Sequence, residues 1–193
     1  MILRLKTGGE SIQSNGNGVT QVKLKKRDIQ TEFHFRKPNK EDGADVWKLI
    51  NNIEILDLNS PYSYIMWCEL FSKTSIVVER DSKLVGFISG FIHPDSKNTL
   101  FIWQVAVNED ERGNGLGTRM LFELLGRTAC EEVHYVEATV SPSNNPSQNL
   151  FKGLAEKLGA ECVISDYFSS TDFPEEGHED ELMFRIGPFT RVK

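Results

Sequence analysis

Apolar residues recur at two spacings along this chain, and the switches between them outline its elements. Phe33 and Phe35 alternate with His34 and Arg36, the period of a half-buried strand, and Pro38, which has no N–H for a ladder, ends the run. Asn39 can cap a helix, with Asp42 in its first turn. Val46, Leu49, Ile50 and Ile53 then recur at the spacing that lines one face of that helix. A loop over residues 56–62 leads to a second helix over 63–71. Residues 75–79 and 84–92 are apolar runs on either side of Asp81, Ser82 and Lys83, which predicts an antiparallel hairpin. A fourth strand is expected over 100–107, a helix over 115–127, and a fifth strand over 133–140. One more helix continues through Leu158, with Gly159 as its C-terminal cap. Strands at 162–164 and 181–186 close the pattern around an irregular acidic loop containing Phe173, Pro174, Gly177 and His178. The order is β-α-α-β-β-β-α-β-α-β-β, a mixed α/β (α+β) class with no internal repeat.

Composition separates the ends of the chain from its body. Residues 1–32 hold Thr7-Gly8-Gly9, Ser14 to Gly18 and the basic run Lys23 to Arg27, a polar mixture that cannot bury enough apolar surface to offset its ordering. They are expected to form a mobile extension, and residues 33–193 one domain. The extension carries six Lys/Arg against three Asp/Glu, so the net charge of −6 leaves −9 on the domain. No basic stripe of the kind that displaces counterions from nucleic acid is visible. The run 84–92 is far short of the roughly 20 apolar residues that span a bilayer, and no segment of signal-peptide length opens the chain. Cys68, Cys130 and Cys162 are odd in number and lack metal-ligand spacing, which points to reduced thiols in a cytoplasmic protein.

The chemistry concentrates at residues 101–118. An apolar strand ending in Val105, Ala106 and Val107 runs into Arg112-Gly113-Asn114-Gly115-Leu116-Gly117-Thr118 and then into a helix. Alternate glycines let backbone approach a ligand closely, and the N–H groups that open the helix have no intrahelical partner. Together with the helix dipole they make a cradle for a phosphate. A P-loop would need Gly-Lys-Ser/Thr, and Thr118 follows Gly117 directly. The dinucleotide fingerprint Gly-x-Gly-x-x-Gly is not met either.

Arg112, Gly115 and Gly117 do match Arg/Gln-x-x-Gly-x-Gly/Ala, the pyrophosphate loop of the GNAT family of N-acetyltransferases, which the chain resembles over residues 33–187. The resemblance implies acetyl-CoA as co-substrate, held by Arg112, Gly113, Asn114, Gly115, Gly117 and Thr118. It implies splayed fourth and fifth strands, with the main chain of Val105 and Val107 against the pantetheine arm. The family's Asn-x-x-Ala-x-x-Leu-Tyr helix falls on Asn144, Ser147, Leu150 and Phe151, so Asn144 becomes a cofactor contact. Phe151 stands where many relatives have a tyrosine that protonates the departing thiolate, and phenylalanine has no proton to give. Within the family the segments 35–43, 56–60, 101–105, 137–144 and 177–181 resemble the branch that acetylates the γ-amino group of L-2,4-diaminobutyrate on the route to the compatible solute ectoine. A homodimer is implied as well. Other small diamines or polyamines, or a non-catalytic acyl-CoA sensor, remain open alternatives.

An acceptor with two amines calls for acidic groups, and Asp57, Glu137 and Glu181 are the candidates. Glu137 sits in a mostly apolar strand, where a carboxylate facing a core must be paired or hydrogen-bonded; the alternation equally allows it to face solvent. Tyr62 and Trp103 are candidate pocket walls. A primary ammonium with pKa near 10.4 is free amine in only about one part in a thousand at neutral pH, so a base is needed. His178 is the natural one, with Glu181 or Asp57 as substitutes. The Val105 N–H is the expected oxyanion donor. His178 and Glu179 also suggest metal, yet position 182 is leucine where a zinc-protease helix has its second histidine, so no metal is expected.

Overall fold

The computed structural model describes residues 32–53, 56–174 and 177–190. Apart from Glu32, the expected N-terminal extension lies outside the described residues. Among these the elements are β1 (His34–Arg36), α1 (Gly43–Asn51), α2 (Pro61–Leu70), β2 (Ile76–Arg80), β3 (Lys83–Ile92), β4 (Thr99–Val107), α3 (Leu116–Leu125), β5 (Tyr135–Val140), α4 (Asn145–Leu158), β6 (Cys162–Phe168) and β7 (Glu181–Ile186). The strands form one sheet in the order β1-β2-β3-β4-β5-β7-β6, antiparallel except for the β4–β5 pair. This is the mixed sheet that the sequence pattern predicts.

Period-two alternation divides the sheet into two faces. Val77, Phe87 and Ala106 pack under α1 and α2, against Val46, Ile50, Tyr64 and Cys68. Ile76, Val78, Ile88, Leu100 and Ile102 face α3 and α4, against Met120, Leu121, Leu124 and Leu154. The two helices of the first face approach closely because α1 opens with Gly43; a Cβ there would lie 2.8 Å from the Ile65 backbone.

Several element boundaries differ from expectation, three of them for a clear local reason. Helix α2 starts at Pro61 and not at 63: the Ser60 hydroxyl accepts from Ser63 N, and proline at the first helical position has no N–H to leave unpaired. Strand β6 continues to Phe168 because β7 pairs with it down to Glu181, though Ser165 and Asp166 break any apolar run. Strand β5 begins only at Tyr135, since Val133 and His134 are occupied in a turn bonded to Cys130 and Asn98 carbonyls.

Arg36 pins the first-strand edge to this frame. Its guanidinium makes two 2.7 Å bonds to Asp42, which completes the Asn39 capping box, and it also pairs with Glu79 of β2. Burial alone would raise the Asp42 carboxyl, but the bonds from Arg36 and from Asn39 N–H hold it below its ordinary value. A depressed carboxyl contributes stability above its unfolded pKa and loses it as pH falls through the folded one. Arg36→Met should therefore destabilise the fold by about 1–3 kcal/mol at neutral pH. In urea titrations the gap should narrow once pH drops below about 4. A gap independent of pH would contradict this account.

Candidate active site

Strands β4 and β5 pair only from Thr99–Tyr135 to Ile102–Ala138, then diverge. The divergence starts at a bulge. Across the β3–β4 ladder Ser89 faces Gln104 while Gly90 faces Ile102, so Trp103 is an extra residue that β3 does not match. The orientation of β4 beyond it follows from one bond, Asn108 N to Val85 O at 2.8 Å. Antiparallel rungs alternate between bonded and non-bonded pairs, and counting back from this bond puts Val107 and Val105 on non-bonded rungs. Their N–H and C=O groups point away from β3, into the gap that β5 has left. Arg112 Nε donating to Val107 O at 3.1 Å agrees with that direction.

The glycine loop closes one end of the gap. Gly113 and Gly115 hold φ of 77° and 71°, a left-handed conformation that side chains rarely adopt, and Gly115 is the N-cap of α3. The first N–H groups of α3 thus open outward without side-chain caps. The loop is anchored behind by Glu111, buried and bonded through both oxygens to Arg80 at 2.9 and 2.8 Å. A cavity of about 470 Å³ results, lined by Val105, Val107, Arg112, Gly113, Gly115, Gly117, Thr118 and Asn144. Asn114 is at the exposed crown of the loop, outside this lining.

A second cavity of about 530 Å³ shares Leu56, Val105, Asn144 and Ser147 with the first, so the two are continuous along β4. It brings together Asp57, Trp103, His178, Glu179 and Glu181. The His178 ring lies flat on Phe173, centroids 3.5 Å apart and planes 8° from parallel. Its Nδ1 is 2.6 Å from the Glu179 carbonyl, which can only accept, so in the neutral ring Nδ1 holds the proton and Nε2 the lone pair. Nε2 faces the Asp57 carboxylate at 4.0 Å. Glu179 in turn accepts from Ser143 N at 3.0 Å and ties this loop to the end of β5.

Burial pushes the Glu181 carboxyl above the ordinary range, against the bond from Thr139 and the charge of His178, which pull it down. The folded chain holds that proton more tightly than the unfolded one, so stability is lost as pH rises through the elevated value. Glu181→Gln should melt above the wild type at pH 8, and the two should converge below about pH 4. Parallel melting curves across this range would count against it.

Two residues expected as acceptor contacts lie outside both cavity linings. Glu137 is 8% exposed but lies outside the lining of both cavities; it is ion-paired with Arg185 of β7, whose guanidinium also stacks over Tyr135 at 4.1 Å. Tyr62, in the first turn of α2, is 72% exposed and lines neither cavity. Trp103 does line the second cavity and stacks on Trp67. Sequence reasoning missed Phe173, Thr139 and Glu111: the last two meet partners distant in the chain, Glu181 and Arg80, while Phe173 stacks on a residue of its own loop; the only hint was an acid, Glu111, beside the glycines. Phe151 lines the second cavity and packs on Phe184. Among the described residues no group of three or more His, Cys, Asp or Glu is arranged to hold a metal ion. No described helix is long and apolar enough to cross a membrane.

Residues 44–155 match the model of the acetyltransferase (GNAT) family. The chain is 62% identical over 155 residues to the L-2,4-diaminobutyric acid acetyltransferase of Virgibacillus pantothenticus, covering 80% of this chain and 98% of that one. It is 55% identical to the enzyme of the same name from Oceanobacillus iheyensis, over 84% of this chain and 92% of that one. Among solved structures it is similar to diaminobutyrate acetyltransferase EctA from Paenibacillus lautus in complex with its substrate L-2,4-diaminobutyric acid and coenzyme A. That similarity has a TM-score of 0.80 at 42% identity and covers 82% of this chain and 96% of that one.

Proposed function

The chain belongs to the GNAT acetyltransferase family, and from that premise we propose that it transfers the acetyl group of acetyl-CoA to the γ-nitrogen of L-2,4-diaminobutyrate. The product is N4-acetyl-2,4-diaminobutyrate, on the route to ectoine. The carrying observation is the continuity of the two cavities along one unpaired edge of β4, with the phosphate cradle at one end and His178 Nε2 beside Asp57 at the other.

In this reading the N–H groups opening α3 hold the diphosphate, and the Val107 N–H and Val105 carbonyl pair with the pantetheine amides. The acceptor's ammonium groups meet Asp57 and Glu181. His178 Nε2 takes a proton from the γ-ammonium, and the freed lone pair attacks the thioester carbonyl. Val105 N–H meets the oxyanion; collapse breaks the C–S bond, releases the coenzyme A thiolate, and the second proton of the attacking nitrogen passes through water to the sulfur. Phe151 supplies no acid, so the sulfur is left to water. Direct transfer fits the cysteines: burial pushes Cys68 up to about 12 and Cys130 to about 11, Cys162 is also raised, and none lines a cavity. Thiols held protonated are poor nucleophiles.

Thiol release from acetyl-CoA across a panel of diamines, with NMR of the product, tests the reading. Preference for diaminobutyrate and an acetyl on N4 are expected; equal turnover of putrescine, or acetylation of the α-nitrogen, overturns it. The unpaired cysteines suit a cytoplasmic protein. Exposed Val163, Ile164, Tyr167 and Phe168 on edge strand β6 suit a homodimer, which sedimentation can refute.

A further inference from the structure

Two side-chain oxygens among the described residues are buried without a hydrogen-bond partner, Ser89 Oγ and Gln104 Oε1. They belong to residues directly opposite each other on one rung of the β3–β4 ladder, next to the Trp103 bulge. Gln104 is 8% exposed and lines the second cavity. Its Nε2 donates to the Asp57 carbonyl at 2.8 Å, and since only the nitrogen of an amide can donate to a carbonyl, the orientation of the group is fixed. A buried amide with one end unpaired stabilises a core less than an apolar side chain of equal volume, so packing does not account for glutamine here.

What the amide does hold is the loop between α1 and α2. Two residues further on, Tyr64 Oη, wholly buried, accepts from Asn59 N at 3.0 Å. The loop is tethered from below on both sides of Leu58. The Asp57 side chain itself is 94% exposed, with His178 Nε2 at 4.0 Å, so the place of its carboxylate is set by the main chain beneath it.

We propose that Gln104, assisted by Tyr64, is a positioning residue that fixes the Asp57 carboxylate opposite His178 and thereby sets affinity for the cationic acceptor. This rests on reading the second cavity as the acceptor site. Gln104 does not touch the reacting atoms; it acts through Asp57, from the same stretch of β4 whose neighbouring residue, Val105, faces the acyl donor.

Steady-state kinetics of Gln104→Met, Tyr64→Phe, Asp57→Asn and the Gln104→Met/Asp57→Asn pair test this. Gln104→Met should raise KM for diaminobutyrate about tenfold, leave KM for acetyl-CoA within about twofold, and lose its effect when Asp57 is already asparagine. Equal effects with and without Asp57, or equal rises in both KM values, would make Gln104 merely structural and overturn the proposal. Amide hydrogen exchange over residues 56–60 reads the tether without any acceptor. It should accelerate about tenfold in Gln104→Met, and unchanged exchange overturns the proposal. A wild type that does not turn over diaminobutyrate, together with this acceleration in Gln104→Met, refutes the acceptor assignment and leaves the tether standing. Should Gln104→Met fail to fold, Tyr64→Phe gives the same two readouts from the other tether, at about threefold or more.

Discussion

Replacing His178 with glutamine should lower kcat for diaminobutyrate acetylation by about 10²–10⁴-fold, the range that loss of a positioned base produces. The proton on the acceptor is the reason. Attack on a thioester needs a free lone pair, and an amine with pKa near 10.4 offers one about once in a thousand encounters at neutral pH. His178 can remove that proton locally because its Nδ1 is committed to the Glu179 carbonyl and its Nε2 faces the cleft. Phe173, stacked flat on the ring, keeps the Nε2 direction fixed. Glutamine retains a polar side chain of similar reach but accepts no proton. The residual activity of the variant should rise about tenfold per pH unit through the neutral range, following the fraction of free amine. Coenzyme A affinity should stay within about threefold, since His178 lines only the acceptor cavity. A variant within fivefold of wild-type kcat would hand the base role to Glu181 or Asp57.

Gly115→Val should weaken coenzyme A binding by about 10²-fold or more. Two effects add. A β-branched residue at φ 71° is strained by about 1–2 kcal/mol, and relief by a shift in backbone would turn the α3 N–H groups off target. Each charge-assisted bond to a phosphate that is lost adds about 1.5–3 kcal/mol. A Cβ at Gly115 would meet no atom of the protein within 4 Å, so the chain should still fold and the loss should appear in binding. Gly153, in the middle of α4 and equally unobstructed, gives the control: Gly153→Ala should bind coenzyme A like the wild type. Isothermal titration of both variants decides, and a Gly115→Val protein with unaltered Kd would remove the phosphate cradle from the mechanism.

The sequence was most readable where one property repeats locally. The helical spacing of Val46, Leu49 and Ile50, the alternation in β2 and β3, and the strand–glycine–helix passage at 101–118 all survive in the structure, because neighbours in the chain decide them. Contacts between distant residues were not readable. Glu137 looked like a substrate ligand because a lone acid in an apolar strand demands a partner; its partner is Arg185, 48 residues later, brought alongside only by the β5–β7 register. The polar demand is met by a guanidinium on the neighbouring strand. Gln104 and Tyr64 escaped notice for the opposite reason, as ordinary members of apolar runs whose polar ends meet backbone in another loop. The length of β6 was hidden because both of its faces are exposed, so no hydrophobic period marks it.

The unmatched residue at position 103 bends β4 without interrupting its register with β3. Side chains alternate strictly along a strand, and Ile102 opposite Gly90 and Gln104 opposite Ser89 already occupy successive rungs, so removing Trp103 would leave Gln104 and Ala106 toward α2 and both valine side chains toward α3. The carbonyls and amides now offered to the cleft would keep their direction, because Asn108 N to Val85 O still fixes which rungs are bonded. A single-codon deletion at 103 would therefore straighten the strand where it parts from β5 and spare the facing of its docking edge.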